Sequence, residues 1–553
     1  MTLPFGLGRL LGLGEPLDLA DAEVEDPPPD DLDSAPEPAL VLQKMENRLV
    51  RLSLSHPDVL RDDELRRLRY ILNFARLADF EPGAAGPDGT RGRGDVGVGA
   101  ELAPWRARVI DALHGPLRDE RDAVTALTTA REALAALNGE QDEQRRLLTH
   151  RHGNDFSQAE LDCEVGYKSL VTVLGGGGGA GFVYIGGMQR LIEAGHTPDY
   201  LLGSSFGSII GAVVGRTLPV PIDEYVDWAK TVSYRAILAP ERLRRRHGLT
   251  GMFSLQFDDF AHAMFTSADG EPLRMADLAI PFDAVVAGVR RQSFAALPSR
   301  FRRPELAGLR LLPIIPVGIG PVVAARMWQV AAFIDSRVVK PIVVGADELT
   351  RQFNVVDAAS FSSAIPGVLH HETHDPRMEP LLDELCRVND VAALVDGGAA
   401  SNVAIELAWK RVRDGRLGTR NACYLAFDCF HPQWDPRHLW LAPIAQAVQL
   451  QMVRNAPYAD HLIRFEPTLS PVNLAPSVAA IDRACAWGRR SVDKAIPVIS
   501  ALLQPIWWEG DAPPVAHDHT ARTSSVASPM SAVMSAIHLP KGRLQRWRNR
   551  WLT

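Results

Sequence analysis

No run of about 18 uncharged apolar residues passes without a proline, so no membrane-spanning helix is expected. The longest candidate, Leu311–Ala325, lies between Arg310 and Arg326 and is broken by Pro313, Pro316, Gly318, Gly320 and Pro321. Cysteine is scarce. The five in the chain (Cys163, Cys386, Cys423, Cys429, Cys485) are scattered and form no C-x-x-C pair. That argues against a disulfide framework and a zinc site and leaves reduced core thiols. An excess of basic charge is missing too: the formal net charge is −8, which sets nucleic acid aside as a partner. Ten acidic residues between Glu15 and Glu37, with no Lys or Arg among them, account for it, and the rest of the chain is near neutral. The opening MTLPFGLGRLLGLGEP carries Arg9 mid-run and lacks a continuous apolar stretch, so it is not read as a signal peptide. The expectation is a cytoplasmic protein, soluble or peripheral at a membrane, of undefined oligomeric state.

What is present is an ordinary globular composition, 46% hydrophobic and 23% charged over 553 residues, ample for one large core or two domains. Residues 1–38, acidic and containing Pro27, Pro28 and Pro29, read as a disordered tail. Residues 39–160 carry apolar positions at helical spacing, interrupted by a linker over 83–99 with seven glycines. From Tyr167 the texture changes, and short β-rich runs (SLVTVL, PDYLL, FDAVVAGV, KPIVVG, AALVDGG, ACYLAFDCF) alternate with helical ones. That alternation predicts an α/β domain over 165–470, a mostly parallel sheet between helical layers. Helices are expected over 471–510, a linker over 511–538 and a basic tail over 539–553.

Three short motifs carry the chemistry. Gly203-Ser204-Ser205-Phe206-Gly207 fits G-x-S-x-G, between the strand PDYLL and the helix SIIGAVVG. In that pattern the strand turns sharply into the helix and presents Ser205 at the sheet edge, although a plain strand–helix turn has the same text. The glycine run Gly175–Gly179, followed by Gly181, comes straight after SLVTVL. A dinucleotide loop would need an acidic residue ending the second strand; Asp199 starts that strand, and no GK[ST] follows to make a phosphate loop. An oxyanion hole built from Gly176, Gly177, Gly178, Gly179 and Gly181 is the competing reading. The 27 residues from Gly178 to Ser205 favour it, because one right-handed β-loop-α-β unit brings both loops to the same sheet edge. Asp396-Gly397-Gly398 ends the strand AALV, either as a carboxylate facing that edge or as a turn and capping residue.

Taken in this order, the three motifs resemble the patatin-like phospholipase family over about 168–415. YIGGMQRLIEAGHTPDYLLGSSFGSIIGAVVG, AASFSSAIPGVL (358–369) and DGGAASNV, which contains Asn402, add to the likeness. The resemblance implies a three-layer α/β/α domain and a lipid ester substrate. It also implies a dyad of Ser205 as nucleophile and Asp396 as base, with no cofactor and no metal. Where many members carry Arg or Lys in the glycine loop, this chain has Ala180, a difference that bears on phospholipid against neutral acylglycerol or simple ester. An aspartate base, with an ordinary pKa near ~3.9 against ~6.5 for histidine, sets the acid limb of kcat/KM well below that of a histidine enzyme.

Other readings stand beside this one. A Ser205–Asp396–His431 triad is the hydrolase alternative, and a non-catalytic lipid- or nucleotide-binding module the alternative outside hydrolases. His370-His371-Glu372-Thr373-His374-Asp375 has no helical context for a metal site. The run Arg242–His247 suits anionic headgroups or a solvated face, Leu311–Ala325 suits a lid or a core loop, and Ile506-Trp507-Trp508 suits the core. In the tail, Leu544, Trp547 and Trp551 make one apolar stripe among arginines. Residues 541–552 therefore read as a peripheral membrane contact or, equally, as a solvated or docked terminus.

Overall fold

The structure, a computed structural model, describes residues 37–82, 94–240, 246–257, 260, 264–296, 335–345, 347–431 and 442–510. The acidic tail before Glu37, most of the 83–99 linker, Arg242–Arg245, Leu311–Ala325 and the segments after Gly510 lie outside the described residues.

The N-terminal region is helical: α1 (Pro38–Ser55), α2 (Asp62–Arg76), α3 (Ala103–His114), α4 (Ala123–Arg151) and α5 (Gln158–Gly166). Local chemistry sets where they begin. Asp122 caps α4 by accepting the Thr125 amide at 2.7 Å, and Ser157 and Glu160 form a capping box at the start of α5. Their apolar stripes, including Leu42, Leu49, Ile71, Phe74 and Leu127, meet in one buried cluster. Ile506 and Trp508 close that cluster from the far end of the chain, with the Trp508 and Tyr70 rings 5.4 Å apart. Glu46 on α1 pairs with Arg69 on α2 at 3.1 Å and with Lys168, so a buried ionic knot joins the helical region to the start of the sheet.

The central sheet uses β1 (Ser169–Leu174), β2 (Tyr200–Ser204), β3 (Phe282–Arg290), β4 (Val339–Val344), β5 (Val391–Asp396), β6 (Ala422–Asp428) and β7 (His461–Arg464). Five strands run parallel in the order β7-β6-β1-β2-β3, while β4 and β5 pair antiparallel with β3. Alternate residues serve opposite faces, as the two-residue period of a strand requires. Leu170, Leu174, Leu201, Phe282 and Phe427 enter one core layer, whereas Val171, Val173, Leu202, Val285 and Tyr424 enter the other. The first layer is covered by α6 (Val183–Glu193), α7 (Phe206–Gly215), α8 (Ile222–Ala229), α9 (Val355–Ser362) and, later in the chain, Val478–Asp493. The second is covered by α10 (Ile405–Arg413). This is a three-layer α/β/α arrangement preceded by a helical region.

One register detail positions the site. β2 occupies the first half of one edge of β3, ending with Ser204 opposite Val285. β5 arrives along the same edge from the other direction and ends with Asp396 opposite Val286. Two carboxyl-terminal strand ends therefore meet head to head on consecutive residues of β3. The Asp396 loop reaches Ser205 from an antiparallel strand, a direction that the apolar run AALV does not encode.

Candidate active site

Ser205 links β2 to α7 with φ 52° and ψ −127°, a backbone conformation that a serine adopts only under constraint. Its flanking glycines are enforced by close approach. A Cβ on Gly203 would lie 2.5 Å from the Gly207 carbonyl oxygen, and one on Gly207 would lie 2.2 Å from that of Leu174. Two hydroxyls hold the turn. Ser362 Oγ accepts the Ser205 amide at 2.9 Å and donates to the Val285 carbonyl at 2.6 Å, while Ser208 Oγ donates to the Ser205 carbonyl at 2.6 Å.

Asp396 is buried beside Ser205. Its Oδ1 accepts the Gly398 amide at 2.8 Å, and Gly397 opens the short turn that follows. Asp396 Oδ2 is buried with no hydrogen-bond partner among the described residues. Burial pushes the carboxyl up to about 6, against the opposing pull of Ser205 and the Gly398 amide. This corrects the expectation of a low acid limb, which took the ordinary aspartate value and left out desolvation. His431 of the alternative triad is engaged elsewhere, with its Nε2 3.2 Å from the Phe465 carbonyl oxygen.

The glycine loop divides by hydrogen bonding. The Gly176 amide donates to Asn402 Oδ1 at 3.1 Å, and the Gly179 amide donates to the Pro471 carbonyl at 2.9 Å. Gly181 lies within the 3-10 turn Gly178–Phe182 that leads into α6. Gly177 and Gly178 remain, their amides without an acceptor among the described residues, together with the Phe206 amide at the start of α7. Gly176 lies hard against Ser205, since a Cβ there would fall 2.7 Å from Ser205 Cβ. Ala180 is fully buried.

An apolar cavity of about 100 Å³ opens beside Ser205, walled by Phe182, Phe206, Ile210, Val213, Trp228 and Leu255 among others. No charged side chain lines it among the described residues. The histidine-rich segment serves structure. His371 Nε2 is 2.9 Å from Asp357 Oδ1, His370 Nδ1 is 2.8 Å from the Leu249 carbonyl oxygen, and Glu372 accepts the amides of Arg246, His247 and Gly248. Among the described residues no group of His, Cys, Asp or Glu is arranged to hold a metal ion. Arg246, the described end of the basic run beside His247, is paired with Glu379 and Asp383. No helix of the described residues is long and apolar enough to cross a membrane.

Ser362 and Asn402 sit in stretches already similar to family text, AASFSSAIPGVL and DGGAASNV, but nothing in the sequence set them apart from their neighbours. Gln451, which accepts the Asn402 amide at 2.7 Å, lies outside every motif.

Residues 172–409 match the model of the patatin-like phospholipase family, so this part of the chain is similar to a patatin-like phospholipase domain. A shorter stretch of 71 residues is 40% identical to uncharacterized NTE family proteins of Mycobacterium tuberculosis and Mycobacterium bovis. It covers 12% of this chain and 18% of each relative, so the chain spans under a fifth of the length of the proteins it matches.

Proposed function

We propose that this protein hydrolyses carboxylic esters of lipids through Ser205 and Asp396. The observation that carries the reading is the strained Ser205 at the mouth of an apolar cavity, facing a buried carboxyl held near 6. Asp396 takes the Ser205 proton as Oγ attacks the acyl carbonyl carbon, and the C=O π pair moves onto oxygen. The Gly177 and Gly178 amides receive that oxyanion, with the positive ends of the following helical turns behind them. When the tetrahedral adduct collapses, the alcohol departs with the proton from Asp396 and the acyl group stays on Ser205. Water then gives its proton to Asp396, its oxygen attacks the ester, and the acid is released as Ser205 regains a proton.

The cavity suits the hydrocarbon of an acyl chain. With Ala180 in the loop and no charge in the lining, the acyl end of the substrate is held without a phosphate contact. Residues 541–552 would bring such an enzyme to an anionic lipid surface, and removal of 539–553 should weaken vesicle binding at low salt.

The test is a panel of phospholipids, lysophospholipids, acylglycerols and p-nitrophenyl esters, run with wild type, Ser205→Ala and Asp396→Asn, together with a fluorophosphonate probe. Turnover of at least one ester, lost in both variants, and labelling lost in Ser205→Ala are the expected results. Turnover that survives at more than a few per cent in either variant overturns the assignment.

A further inference from the structure

The matched family segment ends at residue 409, and a side chain that ties its two reacting loops together comes from beyond it. Helix α11 (Ala442–Asn455) turns Gln451 inward over the turn that follows Asp396. Both ends of the Gln451 carboxamide are used. Oε1 accepts the Asn402 amide at 2.7 Å, and Nε2 donates to the carbonyls of Ala399 at 3.0 Å and Gly398 at 3.3 Å.

Each contact leads to a reacting group. Gly398 gives its amide to Asp396 Oδ1 at 2.8 Å, so the peptide that Gln451 holds is continuous with the one that stabilises the carboxylate. Asn402 in turn grips the Gly176 residue at both its polar backbone atoms. Its Oδ1 accepts the Gly176 amide at 3.1 Å, and its Nδ2 donates to the Gly176 carbonyl at 3.4 Å. Gly176 precedes Gly177 and Gly178, whose amides are free to meet an oxyanion, and it lies against Ser205.

We propose that Gln451 is a positioning residue that fixes the spacing between the Asp396 loop and the glycine loop, through the Gly398 and Ala399 carbonyls on one side and Asn402 on the other. The proposal rests on the reading of Ser205 and Asp396 given above. Gln451 does not touch the reacting atoms. The residue type follows from the demand for an acceptor and a donor on one side chain: an ionised glutamate offers only acceptors, and leucine offers neither. Small displacements of positioned groups have large effects on rate, and two loops are displaced together here.

Two variants test this, each compared with wild type by kinetics on a soluble short-chain p-nitrophenyl ester and by hydrogen exchange of the full chain. Gln451→Leu should speed amide exchange in two separate segments, 174–179 and 396–403. It should lower kcat about tenfold with KM within about twofold, and move the acid limb of the pH profile upward, because a loosened Gly398 amide no longer favours the Asp396 carboxylate. Gln451→Glu keeps the acceptor for Asn402, so its faster exchange should be confined to 396–400 while 174–179 stays as in wild type. Wild-type exchange in both segments of Gln451→Leu, or an unchanged kcat and acid limb, overturns the proposal. So does loosening spread over the whole chain in both variants. If wild type hydrolyses no ester and Ser205 takes up no fluorophosphonate, the proposed function fails, while the exchange data still decide whether Gln451 ties the loops.

Discussion

Ser362 accepts the backbone amide of Ser205 on its hydroxyl at 2.9 Å. The contact holds the Ser205 peptide in a conformation worth about 1–3 kcal/mol of strain. Ser362→Ala would leave two buried polar groups, the Ser205 amide and the Val285 carbonyl, without the hydroxyl that now meets both. A loss of about 2 kcal/mol in stability is expected. The rate should suffer more than substrate binding, because the turn relaxes around Ser205. Thermal melting together with kcat and KM for a short-chain ester checks this, and an unchanged kcat would show that the turn holds without Ser362.

The acid limb of kcat/KM should lie near pH 6, because Asp396 must lose its proton to act as base and burial holds it at about 6. That position overlaps the histidine range, so the pH value alone does not identify the base. Added organic cosolvent separates the two. Ionisation of a neutral carboxylic acid creates charge and is disfavoured in a less polar medium, whereas an imidazolium only passes its charge on. The limb should move to higher pH as cosolvent increases, and a stationary limb would point to histidine.

Asp396→Asn should raise thermal stability at pH 8 while it removes activity. The native pKa of about 6 stands above the ordinary value of 3.8, so between these values the native state binds a proton that the unfolded chain has lost. Stability therefore falls as pH rises through that window, by at most roughly 3 kcal/mol once above it. Asparagine carries no such charge. The gain in melting temperature should shrink as pH falls and vanish below about pH 4, which melting curves across pH 3.5–8 would record.

Glu46 runs the other way. Its burial alone would raise the pKa, but Lys168, Arg69 and Arg76 hold it down at about 2. The stability it contributes is present above its ordinary value of 4.5 and is lost as pH falls towards 2. Glu46→Gln leaves Lys168 and Arg69 buried without their carboxylate and should destabilise by about 3–5 kcal/mol at neutral pH. The difference from wild type should narrow in acid. Denaturant unfolding at pH 7 and pH 3 is the measurement.

The local parts of this site were legible in the sequence because each is a short-range pattern. A strand, a sharp turn and a helix are written into DYLLGSSFGSIIGAVVG, and a glycine run after SLVTVL is equally local. Strand direction was not legible, since AALVD has the same apolar text whether its neighbour runs with it or against it. Ser362 and Gln451 escaped notice because a single polar side chain on a helix has no period, and only the fold brings either to Ser205 or Asn402. The elevated pKa of Asp396 was hidden for a related reason: it is a property of the enclosure, not of the residue type. The core place of Trp508 follows from its apolar neighbours in the sequence, but its partner Tyr70 lies more than four hundred residues away and meets it only through the fold.

The shared edge of β3 makes one strand a ruler for the reaction. Ser204 and Asp396 are indexed against Val285 and Val286, two adjacent marks on that ruler. The distance between Ser205 and Asp396 is thus a matter of register, although they stand 191 positions apart in the sequence. Insertions on either side of β3 leave Ser205 and Asp396 in place as long as both strands keep their pairing with it. On the proposed reading, a scaffold of this kind can exchange the walls of its cavity while Ser205 and Asp396 keep their spacing.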